Sequence, residues 1–151
     1  MAVLELGVNL GPRNLISVKY YSDSDNVIDP KLRAKFLTGL EDFVSEVYGD
    51  KMNVISFSNF QIVCYYKMLS LTKTDLDNAA PLLVFAITEK ETNPVLVKKH
   101  LKEIHAEFLN QFEVHEIICE DPEIFKDFNK TIDGILGDLR FNLDDRISTL
   151  F

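Results

Sequence analysis

The chain has 151 residues, 46% of them hydrophobic and 26% charged, with a formal net charge of −8. That length suits one domain, able to bury roughly 68–70% of its unfolded surface without covalent staples, and the acidic balance argues against non-specific binding to nucleic acid or anionic lipid. Two cysteines, Cys64 and Cys119, make no disulfide framework. No run reaches the ~18 apolar residues of a membrane span, and Met1 to Glu5 lacks a basic leader segment; the expected location is cytoplasmic, with no direct membrane insertion.

Ala2 to Leu10 alternates, with Leu4, Leu6, Val8 and Leu10 on one face and Glu5, Gly7 and Asn9 on the other, the pattern of a half-buried strand. Gly11 to Asn14 carries turn chemistry, and Leu15 to Tyr21 alternates again, so the two runs predict an antiparallel hairpin. Asp29-Pro30 opens a helix: Asp29 is a candidate N-cap, and Pro30 suits the first position, where its missing N–H would lack a partner anyway. Leu32, Phe36, Leu40, Phe43 and Val47 share one helical face, and Gly49 ends it. A flanking stripe of Leu37, Val44 and Tyr48 widens that face beyond a single contact.

Asn53 to Phe57 and Phe60 to Lys67 predict a second hairpin around Ser58-Asn59. Met68 to Ala80 reads as a polar connection. Leu82 to Ile87 is then an unbroken apolar run with Pro81 before it and Thr88 after it. It has no polar face, so it is expected as a central strand covered on both sides. Asn93-Pro94 repeats the capping device, followed by a stripe of Val97, Leu101, Ile104, Phe108 and Phe112. Glu113 to Cys119 leaves a short extended piece open. Asp121-Pro122 begins a third helix with Ile124, Phe128, Ile132, Ile135 and Leu139 inward, weakened at its end by Gly134 and Gly137. The segment 140–151 keeps Leu143, Ile147, Leu150 and Phe151, and is expected to dock on the domain formed by 1–139.

Groups with chemical potential are sparse. His100 and His105 are five apart, on different sides of a helix, whereas metal-binding helical pairs need spacings of three or four. Asp23, Asp25 and Asp29 lack the glycine and distal glutamate of a calcium loop, and the six glycines form no phosphate loop. No catalytic residue, metal site or cofactor is expected. A small ligand-binding or enzymatic cleft near Tyr65, His105 and Glu107 is the alternative, motivated only by polar groups in an apolar setting.

The element order, strand-strand-helix-strand-strand-strand-helix-helix, resembles the longin domain. The resemblance spans about Ala2 to Leu139 and rests on Phe57-Ser58-Asn59-Phe60-Gln61-Ile62-Val63, then Leu82 to Ile87, then the Asn93-Pro94 helix. It implies an α/β fold of α+β type, with a five-stranded antiparallel sheet sandwiched between one helix and two. It also implies a non-enzymatic interaction module of membrane-traffic type. The implied partners are a second longin-type subunit, a SNARE-like peptide or a small GTPase, with a homodimer as a further reading and membrane association only through partners. In longin-like domains the first helix and the neighbouring edge strand bind partner peptides. The corresponding candidates here are Leu37, Val44, Tyr48, Val54 and Ser56, rimmed by Arg33, Lys35 and Glu41.

Overall fold

A computed structural model describes residues 3–11, 13–20, 54–56, 60–70, 79–118 and 122–140. The first strands, β1 (Val3–Leu10) and β2 (Arg13–Lys19), form the expected hairpin, closing with Leu10 opposite Arg13. Gly11 takes a φ of +56° in the turn, a conformation that side-chain-bearing residues rarely adopt. Next come β3 (Val54–Ser56), β4 (Phe60–Ser70) and β5 (Ala79–Glu89). All pairings are antiparallel, and the strand order is β2-β1-β5-β4-β3. The apolar run 82–87 therefore lies mid-sheet, between β1 and β4, with every residue from Leu82 to Thr88 buried.

The expected fold class needs correction. Four strands of 7 to 11 residues carry the sheet. Within the 53–57 segment the described part is a three-residue piece at the border, Val54 to Ser56, paired with Val63 to Gln61. The described α-helices are α1 (Pro94–Gln111), α2 (Val114–Ile117) and α3 (Phe128–Leu136), giving an α+β fold with these three helices in one apolar cluster with the sheet. The layering of one helix against two is thus not what is described. The expected first helix, 30–48, lies outside the described residues, as does the docking segment 140–151 beyond Arg140.

Five further readings change for identifiable reasons. β1 is not half-buried: Glu5 and Gly7 are covered as well, since the strand lies inside the sheet with neighbours on both sides. Glu5 accepts from the Ser17 hydroxyl at 3.5 Å. In β2 the alternation breaks at a bulge, where Val8 pairs Ile16 but Asn9 pairs Asn14; Leu15 is the extra residue, and both Leu15 and Ile16 join the core. The polar connection is shorter than 68–80, because β4 continues to Ser70 and β5 starts at Ala79.

Residues 114–117 are helical, not extended. Glu113 and Glu116 form a reciprocal capping box at the start of this turn. The Arg13 guanidinium donates to the carbonyls of Ile117 (2.8 Å) and Ile118 (3.1 Å) at its end.

The third helix is also split. A 3₁₀ turn at Pro122–Phe125 precedes α3, and a second, Gly137–Arg140, follows it. The break re-phases the chain so that Phe125, not Ile124, turns inward.

α1 buries Val97, Leu101, Ile104, His105 and Phe108 against the sheet. Phe108 lies among Phe112, Phe125 and Phe128, with ring centroids 5.1–5.4 Å away, tying α1 to the segments after it. The Tyr20 hydroxyl, at the end of β2, donates to Asp133 Oδ1 of α3 at 2.5 Å. Burial, then that hydrogen bond, push the phenol well above its ordinary range, so it holds its proton.

Candidate partner-binding groove

Where β3 borders the sheet, the start of α1 lies beside it. This proximity is built by the turn after β5. The Thr92 amide donates to the Glu89 carbonyl (3.1 Å), and the buried Gln61 amide of β4 donates to the Thr92 carbonyl (2.6 Å). The Asn93 side chain then caps α1 by accepting from the Val95 amide (3.0 Å), and Pro94 occupies the first turn. The result is an open groove of about 540 Å³ lined by Val54, Pro94, Val95, Lys98, Lys99 and Lys102. Val95 is 77% exposed and Val54 39% exposed, an apolar floor left in water at a sheet border.

Of the five residues expected to bind a partner, Val54 and Ser56 are described, and both are exposed on β3. Val54 lines the groove. Leu37, Val44 and Tyr48 lie outside the described residues, as does the expected rim of Arg33, Lys35 and Glu41. Sequence reasoning missed the α1 contribution altogether. Its one available signal was that Val95 and Leu96 fall off the helix stripe while Lys98, Lys99 and Lys102 cluster beside it.

At the alternative cleft near Tyr65, His105 and Glu107, the imidazole is buried while Tyr65 and Glu107 are half-buried. His105 is 3% exposed, its Nε2 is 3.1 Å from the Leu82 carbonyl, and its ring meets Tyr65 edge-on at 5.2 Å. Lys102 Nζ sits 5.7 Å from the Tyr65 ring centroid. None of the three lines the groove or the smaller polar cleft of about 270 Å³ between β2 and the Pro122–Phe125 turn. Among the described residues no group of three or more His, Cys, Asp or Glu is placed to hold a metal.

Two buried groups give checkable consequences. Burial lowers the His105 pKa from its ordinary 6.5, the Leu82 hydrogen bond opposes this, and Lys67 adds to the lowering. The unfolded chain therefore takes up this proton first. The stability His105 contributes is present above the unfolded value and is lost as pH falls through and below it. Unfolding free energy should drop between about pH 7 and pH 5, and His105→Gln should flatten that slope. A slope unchanged by the substitution would contradict the buried neutral ring. Burial also pushes the Cys64 thiol up to about 12, against a small lowering from Lys98. In a Cys119→Ser background, a thiol reagent at neutral pH should label Cys64 only at the rate of unfolding; fast labelling under native conditions would contradict its burial.

No family model matches the chain, and no curated protein matches it. No described helix is long and apolar enough to cross a membrane. The class that fold and groove define is an α+β domain presenting an apolar, lysine-flanked groove at one sheet border.

Proposed function

We propose that the chain is a non-enzymatic interaction module that receives a partner protein at the β3 border of its sheet. The reading follows the membrane-traffic role that the longin resemblance implies, with a second longin-type subunit, a SNARE-like peptide or a small GTPase as the partner. The observation that carries it is the pairing of exposed Val54 with exposed Val95 across an open groove where the strand order ends. Apolar side chains grouped at a sheet border lose unfavourable contact with water when a partner covers them, and an edge strand offers backbone hydrogen bonds in the same place.

The test is photo-crosslinking in the native cell, with a photoreactive amino acid at position 95 and, as control, at exposed Lys126 just after the far 3₁₀ segment. The expected result is one discrete adduct at position 95, absent at 126 and lost when Val54→Asp is added. An adduct of twice the chain's mass identifies a second copy as the partner. Equal, diffuse labelling at both positions contradicts the reading.

A further inference from the structure

We infer that the occupant of the groove is an extended acidic segment of a partner protein, laid beside β3 as an added strand with carboxylates at alternate positions. This rests on the reading that the groove receives a protein, and it specifies the chemistry of what enters.

Charge points to the acidic character. The whole chain carries −8, yet among the described residues the charged side chains lining the groove are Lys98, Lys99 and Lys102. Among the described residues none of the three makes an ion pair. Lys102 has the Tyr65 ring as neighbour, which orders its stem without neutralising its charge. A positive cluster on an acidic body steers an anionic partner to that one place and repels it elsewhere. Polyanions without apolar side chains fit less well, because the floor between the ammonium groups is Val54, Pro94 and Val95.

Spacing points to the extended form. Lys98 and Lys102 are one helical turn apart, with a rise of about 6 Å. Alternate side chains of a strand repeat at roughly 6.6 Å on one face, so two carboxylates at positions i and i+2 match two ammonium groups on the helix. Among the described residues β3 is last in the strand order and pairs with β4, so an added strand is assigned to its outer side. Val54 is opposite Val63 in register, and Val63 belongs to the core cluster that α1 joins. A strand added beyond β3 therefore sets every second side chain beside Val54, on the α1 side of the sheet. An apolar residue next along that face, after the two carboxylates, meets Val54 and Val95.

The probe is a labelled peptide alternating Thr with Glu, Glu, Val and Val, titrated by fluorescence anisotropy against the full chain. Matched peptides carry Gln or Lys in place of Glu. The expected result is saturable binding of the acidic peptide, with affinity falling as salt rises. The Lys peptide, and separately the Lys98→Glu/Lys102→Glu variant with the acidic peptide, should bind roughly tenfold more weakly or worse. Lys98→Gln/Lys102→Gln should give an intermediate loss, and thermal melts of both variants should match the wild type, since Lys102 is exposed and Lys98 only half-buried. If all three peptides bind equally and only Val95→Asp weakens them, the acidic occupant is wrong while the groove remains a docking site. If no peptide binds but the position-95 adduct forms, the strand form of the partner is wrong. If an anionic vesicle or a short RNA binds the same lysines in preference to the acidic peptide, the protein occupant is wrong. Silence in both experiments overturns this inference and the function it rests on.

Discussion

Phe108→Ala is expected to lower unfolding free energy by about 3–5 kcal/mol, the cost of emptying a fully enclosed aromatic site. Phe108 has 0% exposure and lies among three aromatic neighbours: Phe112 at 5.1 Å, Phe125 at 5.3 Å and Phe128 at 5.4 Å. Phe112 also meets Phe125 at 4.9 Å, so the rings brace one another. These neighbours come from the end of α1, the 3₁₀ turn and α3, three segments that cannot close together around a methyl group without moving backbone. For a domain of this length such a loss corresponds to a fall in melting temperature of roughly 6–20 °C. It is a large share of the roughly 5–15 kcal/mol that holds an ordinary domain folded. Chemical denaturation of the variant measures it, and a loss under about 1 kcal/mol would mean that the segments after α1 do not pack as described.

The second large effect concerns a missing side chain. A Cβ built on Gly7 would lie 2.3 Å from Phe85 Cζ and 2.4 Å from Cε1. Gly7 and Phe85 are cross-strand partners on β1 and β5, and the Phe85 ring occupies the space that a side chain at position 7 would need. Phe85 is fully buried, so the ring has no path into solvent. Gly7→Ala should therefore cost about 1–3 kcal/mol through overpacking, reduced by the roughly 0.5–1 kcal/mol that alanine recovers over glycine in a strand. Gly7→Val should cost more. Combining Gly7→Ala with Phe85→Leu should give a loss well short of the sum of the two single variants, because the smaller side chain makes room. Strict additivity would show that the ring does not lie over the glycine.

These two sites also show what a chain reading can and cannot reach. The mid-sheet position of Leu82 to Ile87 was legible because six apolar residues without alternation require cover on two faces. The Asn93-Pro94 start of α1 was legible because its cap is local. β1 departs from its pattern because alternation implies one wet face, whereas both faces of this strand are covered. Glu5 and Gly7 are instead buried polar and small residues, tolerated there by Ser17 and by the Phe85 ring. The bulge at Leu15 and the re-phasing before α3 depend on which residue meets the core, which spacing alone does not encode. Residues 113–119 leave an extended piece open from Ile117 and Ile118; 114–117 form a helical turn whose end carbonyls accept from Arg13, far away in the chain. The groove was half legible. Val54 was marked by its place next to the border, but its counterparts on α1 become neighbours only through the Gln61–Thr92 and Glu89–Thr92 hydrogen bonds that set the helix start beside β3. Leu37, Val44 and Tyr48 lie outside the described residues.

The proposed function requires that a partner cover β3 and the start of α1. Hydrogen exchange on the isolated complex, compared with the free chain, tests it most directly. The expected result is slowed exchange at the amides of Val54 to Ser56 and over the first turns of α1, with β2, at the opposite border, unchanged. Exchange at Val54 to Ser56 as fast in the complex as in the free chain, or protection confined to β2, would contradict it.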